Sequence, residues 1–466
     1  MSPNARPLYD VAVIGGGVVG CAVARRFALA GAGVVLLEKG ADILSGASKA
    51  NSAILHTGFD APPSSLEQEL VRAGRQEYLE IRESLNLPLV TTGAFVCAWT
   101  AGDAARLDGI EQQGQSNGVT DLRILDGKDA RRMMPTLSDR LVAALEVPGE
   151  HVVDPWSAPL AYLTQAVALG AHFIRDAEVL SGYFDDVWTL STRAGTIRAR
   201  SVINAAGLYG DVVDERLGFV PDFHIKPRKG QFVVLDKAAA HLVPRIVLPV
   251  PTEITKGIVI CPTAFGNVLV GPTAEEQDDR ERATVVTEVL RSLLERAAEI
   301  VPALQDMPIT AVYAGLRPAT ERKHYRICSR PDQRAITLGG IRSTGLSAAL
   351  GLAQHALELH GAFNQSAFVP PSSIPTVNSP NLAETRERDW QCADHGEIVC
   401  HCEMVTRREI EASFDSPVPP GDFGGLRRRT RAGMGRCQGF YCNARLAELT
   451  EGKLSTPLAV DEGKSE

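Results

Sequence analysis

The chain has 466 residues, too many for one core at ~100–200 residues per domain, so two to four domains are expected. Hydrophobic residues at 44% and charged residues at 22% exclude a mainly disordered chain. The net charge of -8 excludes nucleic acid as the main partner, and no uncharged apolar run reaches the ~18 residues of a membrane span.

Met1 to Tyr9 carry no apolar signal-peptide core, so a cytoplasmic chain is expected, at most peripheral on the inner face of a membrane. Residues 10–14 are apolar and predict a buried strand. A glycine-rich turn follows, then a helix over 18–30 stopped by Gly31 and Gly33, then a β-branched strand over 34–38. This is a βαβ unit. A loop rich in Ser, Gly and Asn spans 45–58, and apolar residues at helical spacing predict a helix from Ser64 to about Leu85. Asp154-Pro155 predicts a helix start, with Asp as cap and Pro at the first position, running to Gly170. Residues 197–204 predict a strand entering Ala205-Ala206-Gly207. Short β-like runs at 231–235, 246–248, 257–261 and 268–270 suggest a mostly antiparallel second sheet. A strand over 335–338 leads through Gly339-Gly340 to a helix over 345–359. Residues 367–380 are rich in Pro and Ser and read as linker; a cysteine- and arginine-rich module and a polar tail follow.

Gly15, Gly17 and Gly20 form G-x-G-x-x-G between strand and helix. The first makes the tight turn, the second admits a pyrophosphate and the third lets helix and strand pack closely. Val18 and Val19 open a helix whose unpaired N–H groups suit phosphate, and Glu38, followed by Lys39, ends the second strand where a carboxylate can hold ribose hydroxyls. The motif specifies a dinucleotide. A second glycine-rich strand-to-helix turn at 339–346 favours FAD over NAD, because it can aim N–H groups at a flavin carbonyl.

Four of nine cysteines fall in two tight pairs, Cys400/Cys402 and Cys437/Cys442, as expected of metal ligands in a reducing compartment. Four thiolates suit zinc or a [2Fe–2S] cluster, and the C-x-C spacing is less natural for zinc. The scattered Cys21, Cys97, Cys261, Cys328 and Cys392 read as small buried hydrophobes, with Cys392 a free thiol. Arg427, Arg428, Arg429, Arg431 and Arg436 have three readings: balancing an anionic cluster, docking an acidic acceptor, or forming a solvated face.

Together the Gly15–Gly20 fingerprint, the segment 48–58, Asn204-Ala205-Ala206-Gly207, residues 226–231, Gly271-Pro272-Thr273, Gly315-Leu316-Arg317-Pro318 and the 339–346 turn resemble the D-amino-acid-oxidase-like superfamily. Within it they resemble the FAD-dependent glycerol-3-phosphate and L-2-hydroxyglutarate dehydrogenase branch. The C-terminal cysteines resemble a bacterioferritin-associated-ferredoxin-like (BFD-like) [2Fe–2S] module. The fold implied is α/β: a Rossmann-type FAD-binding domain (1–80, 150–215, 320–365) with an inserted, mostly antiparallel β substrate domain (81–149, 216–319). A linker (366–395), a small Cys-rich [2Fe–2S] domain (396–450) and a tail (451–466) complete it.

The resemblance also implies site residues. Ser48, Asn51 and Ser52 through His56 run along the flavin. Val179 meets the adenine through its backbone, and Ala206, Gly207 and Gly315 contact the cofactor. Gly340 and Thr344, Gly345 and Leu346 cap the pyrimidine end of the ring. His56 is the candidate base, Arg317 the anion-binding arginine and Lys256 a second cation. The metal ligands are Cys400, Cys402, Cys437 and Cys442. The implied function is oxidation of a small anionic alcohol, glycerol 3-phosphate first and L-2-hydroxyglutarate second. An amino-acid or amine dehydrogenase subunit, or a partner-fed electron-transfer subunit, stands behind these. The implied acceptor is a protein, a quinone or a pyridine-nucleotide oxidoreductase subunit in a hetero-oligomer.

Overall fold

A computed structural model of the chain describes residues 7–251, 257–363 and 367–458. Strand Leu8–Ile14, helix Val18–Ala30 and strand Val34–Leu37 form the first βαβ unit. Leu8–Ile14 is the middle of a sheet, parallel to Val34–Leu37 on one side and to Gly195–Asn204 on the other. His172–Ile174 and Ala335–Gly339 extend it in parallel at either side, and Arg326–Arg330 closes one edge antiparallel. Parallel strands covered on both faces read as continuous apolar runs, and Val11, Ala12 and Val13 are fully buried. Gly195–Asn204 shows both regimes. Its first half pairs with an antiparallel hairpin (Val179–Asp185, Val187–Thr192) and its burial alternates; from Ser201 onward, between parallel neighbours, every residue is buried.

The second sheet runs Ile309–Arg317, Arg228–Leu235, Val268–Gly271, Val259–Pro262, Ile246–Pro249, Ala94–Ala98, Ala143–Val147 and Arg123–Asp126. It is antiparallel except where Ile246–Pro249 meets Ala94–Ala98. A small third sheet joins the two: Ile54–Leu55 and Leu89–Val90 flank His151–Val153. Its register pairs Leu55 with His151, so His56 and Glu150 leave it side by side.

One local expectation differs. The helix after Asp154-Pro155 begins at Ser157, because the Asp154 carboxylate accepts the Trp156 N–H at 2.8 Å and holds Trp156 just outside the first turn. The Pro-rich segment after residue 366 is pinned to the body. Gln165 Nε2 donates to the Pro375 carbonyl (3.0 Å), Asn86 Nδ2 to that of Ser379 (2.9 Å), and Glu384 N to that of Ala264 (2.8 Å). Its polar composition hides these backbone contacts.

The C-terminal module is a short hairpin (Ile398–Cys400, Val405–Thr406) with helices Arg407–Phe414, Phe423–Thr430 and Asn443–Thr450. Thr406 caps the first helix, and Glu409 returns a bond to the Thr406 N–H. Of the scattered cysteines, Cys21, Cys97 and Cys261 are buried as expected, whereas Cys328 is half-buried and Cys392 exposed. Among the described residues no helix is long and apolar enough to cross a membrane.

Candidate active site and cluster module

One cavity of about 850 Å³, near the top of the ~300–1,000 Å³ range of ligand sites, runs between the two sheets. Gly15, Gly17, Val18, Val19, Glu38 and Lys39 line its first end. Ser48, Asn51, Ser52 and His56 line one wall, and Val179, Ala206 and Gly207 another. Gly315, Arg317, Gly340, Thr344, Gly345 and Leu346 close the far end. Gly20 does not line the cavity. A Cβ there would fall 1.8 Å from the Gly15 carbonyl oxygen, so this glycine permits the turn to pack. Lys256 lies outside the described residues.

The glycine turn is held from below. Glu38 accepts from Gly16 N at 2.6 Å with one oxygen and from Gly40 N at 2.8 Å with the other; burial raises its pKa. Ser48 Oγ accepts from Val18 N at 3.1 Å, so the serine loop is tied to the helix N-terminus.

His56 has a partner the sequence did not reveal. Its Nδ1 lies 2.8 Å from Glu150 Oε2, and the Glu150 side chain is fully buried. The other Glu150 oxygen accepts from Thr57 N (2.6 Å) and Thr57 Oγ1 (2.8 Å). With Glu150 as a carboxylate, which only accepts, Nδ1 would carry the proton and Nε2 the ring lone pair. Ninety-four residues separate the pair; only the small sheet's register brings them together.

Arg317 also has company. It pairs with Arg228 directly across adjacent antiparallel strands, and both line the cavity with Arg342. Like charges at cross-strand positions destabilise a sheet unless something compensates. Arg317 Nη2 donates to the Thr273 carbonyl at 2.8 Å, and Arg228 Nε is buried without a partner among the described residues. Among the described residues no carboxylate ion-pairs with any of the three. Burial first, then Arg228 and Arg342, pushes the Arg317 pKa down to about 10. Glu67 acts on Arg342 and Glu276 stands across the strands from Arg228, neither as an ion pair, so this end of the cavity favours an anion.

In the module, Cys402 lies within hydrogen-bond reach of Cys437, and Cys442 of Cys400. Gly433 N donates to Cys400 Sγ at 3.4 Å, and backbone N–H groups of Tyr441, Gly439 and Phe440 lower the Cys437 pKa. Among the described residues no three His, Cys, Asp or Glu side chains stand at the spacing of one metal ion. Two thiol pairs suit the two irons of a [2Fe–2S] cluster better than one tetrahedral zinc. Beside them Phe440 and Tyr441 are 82% and 78% exposed and stack edge to face.

The arginine run turns inward. Arg429 makes a two-pronged bond to Asp42 (2.6 and 2.9 Å), and Arg428 Nη2 donates to the Ile43 carbonyl (2.9 Å). Arg431 binds Glu403 and covers the Phe265 ring at 4.0 Å. Arg436, exposed along its side chain, grips Asp236 through two bonds and holds its pKa down at about 2. Most of these cations attach the module to the loop after Glu38 and to the second sheet.

Comparison with known proteins agrees with this geometry. Residues 10–359 match the family described as FAD dependent oxidoreductase (DAO). The chain belongs to that family. Residues 398–451 match the BFD-like [2Fe-2S] binding domain. The cofactors of this family member are therefore FAD and a [2Fe–2S] cluster. Glycerol 3-phosphate dehydrogenase of Caloramator mitchellensis is 32% identical over 460 residues, 97% of this chain and 95% of the relative. Glycerol 3-phosphate oxidase of Mycoplasma pneumoniae is 29% identical over 75% of this chain and 94% of its own. Human mitochondrial L-2-hydroxyglutarate dehydrogenase is 26% identical over 57% of this chain and 61% of its own. Among solved structures, dithionite-reduced L-alpha-glycerophosphate oxidase of M. pneumoniae with FAD bound superposes with a TM-score of 0.74 at 25% identity, covering 80% of this chain and 98% of that one.

Proposed function

We propose that this flavoprotein oxidises glycerol 3-phosphate at the far end of the cavity and passes the electrons on through its C-terminal module. The observation that carries the substrate is the Arg228–Arg317–Arg342 cluster. Three cations that no carboxylate among the described residues ion-pairs suit one phosphate dianion, which accepts several forked bonds at once. The two carboxylates of L-2-hydroxyglutarate sit at opposite ends of the molecule, and only one could occupy this cluster.

Gly15, Gly17 and the N-terminus of helix Val18–Ala30 would hold the pyrophosphate of FAD, Glu38 the ribose, and residues 344–346 the ring, all of them lining the cavity. FAD supplies hydride acceptance there, and the cluster supplies one-electron acceptance. The arginines fix the phosphate and so aim the carbinol carbon. His56 Nε2 takes the hydroxyl proton, and Glu150 holds the imidazole in the required tautomer and stabilises its charged form. The acceptor is an external one-electron protein carrier or a quinone.

The test is an anaerobic titration of the purified protein, following the flavin absorbance. Glycerol 3-phosphate should bleach the band, and Arg228→Met should raise the concentration required. Bleaching by L-2-hydroxyglutarate alone would move the assignment to a 2-hydroxyacid.

A further inference from the structure

The cavity and the thiol cluster are joined by one contact chain of aromatic and cationic groups. Trp156 Nε1 donates to the carbonyl of Lys49, a cavity-lining residue, at 3.2 Å. The Trp156 ring stacks on Phe265, with centroids 5.4 Å apart and planes 16° from parallel. The Arg431 guanidinium lies 4.0 Å from the centre of the Phe265 ring. Two residues further on, Gly433 N donates to Cys400 Sγ. These residues come from three parts of the chain. Trp156 precedes helix Ser157–Ala168, Phe265 sits in the turn between strands Val259–Pro262 and Val268–Gly271, and Arg431 follows helix Phe423–Thr430.

Both rings also serve packing, Trp156 against the core under the first sheet and Phe265 as a buried residue. Trp156 is only half-buried, and Phe265 is buried at the seam between second sheet and module. A buried arginine over an aromatic face holds that face in place. Glu403, adjacent to Cys402, fixes Arg431 from the other side at 2.7 Å. The seam thus sets the separation and order of the groups between the two redox sites.

We propose that Trp156, Phe265 and Arg431 form the electron path from the flavin cavity to the cluster. The proposal rests on the relay reading above. One electron crosses at a time, the reduced flavin being oxidised and the oxidised cluster reduced. No bond forms or breaks in the transfer. The second electron follows once an external one-electron carrier has reoxidised the cluster. Tunnelling falls steeply with unbridged distance, so removing a ring from the stack slows the transfer without touching substrate binding or the thiols.

The experiment is flash photoreduction of the flavin in the anaerobic holoprotein, with EDTA as photodonor so that no substrate is needed. Cluster reduction is followed by absorbance and by electron paramagnetic resonance of frozen samples. Trp156→Leu and Phe265→Leu should each slow cluster reduction by an order of magnitude, with FAD and iron content unchanged. Trp156→Phe, which keeps a stacked ring, should restore most of the rate. Transfer at the wild-type rate in both leucine variants overturns the path and leaves the relay standing. A wild-type flavin that is photoreduced while the cluster stays oxidised overturns both.

Discussion

The attachment of the module can be tested at one ion pair. Asp42 is fully buried and Arg429 is 5% exposed. Asp42 Oδ1 accepts from Ile43 N and Arg429 Nη2; Oδ2 accepts from Arg429 Nη1 and Gly421 N. Gly425 faces the same carboxylate so closely that a Cβ would fall 1.6 Å from Oδ2, so this side of Asp42 is closed by backbone. Arg429→Met leaves a buried carboxylate with two N–H donors and no ion-paired cation, Arg428 and Arg175 acting on it only at longer range. Breaking a buried pair in this way costs about 3–5 kcal/mol. The loss is measured by urea unfolding of the holoprotein, read at the cluster and flavin bands. Asp42→Asn in the Arg429→Met background removes the stranded charge, so the double variant should be more stable than Arg429→Met alone. A single loss under about 1 kcal/mol, the range of an exposed pair, would refute the argument. So would simple additivity of the two single losses.

Three other outcomes follow from the geometry. Glu150→Gln should lower the rate of flavin reduction by substrate about 100-fold or more and change its pH profile, since tautomer and imidazolium support are both lost; retention of both would remove Glu150 from the chemistry. Gly20→Ala should yield protein without bound FAD, because the new methyl meets the Gly15 carbonyl; cofactor content by absorbance decides this. Asp154 is fully buried and its pKa is raised to about 6 from an unfolded 3.8, so the folded state binds the extra proton and stability falls as pH rises from about 4 to 6. Asp154→Asn should therefore gain roughly 2–3 kcal/mol over wild type at pH 7.5 and nothing near pH 4, in unfolding curves at the two pH values.

The first βαβ unit was legible because its signals are local. Strand, glycines, helix and acid follow one another within about thirty residues, each constrained by backbone geometry. The helix Val18–Ala30 agrees to the residue with its apolar pattern and glycine stop. The cysteine pairs were legible for the same reason. Glu150 was not, because its role depends on a strand register ninety-four residues from His56. Arg228 and Arg342 lay inside recognised segments, yet nothing in their spacing to Arg317 marks the three as neighbours. Cross-strand pairing in the second sheet and the turn after Ala335–Gly339 supply that proximity.

The arginine-rich helix shows why charge alone misleads. Arg427, Arg428 and Arg429 sit in the last turn of Phe423–Thr430, where a solvated cationic face would also be stable against the helix dipole. What separates a docking face from an internal seam is the acid on the opposite side. Asp42 lies in the loop that follows Glu38, and Asp236 immediately follows the strand Arg228–Leu235. Each of the two large units therefore contributes one carboxylate to the module. Cationic groups facing both units fix the module relative to the cavity between them. That placement would keep the proposed path through Trp156 and Phe265 at one length, which a module held by a flexible tether would lack.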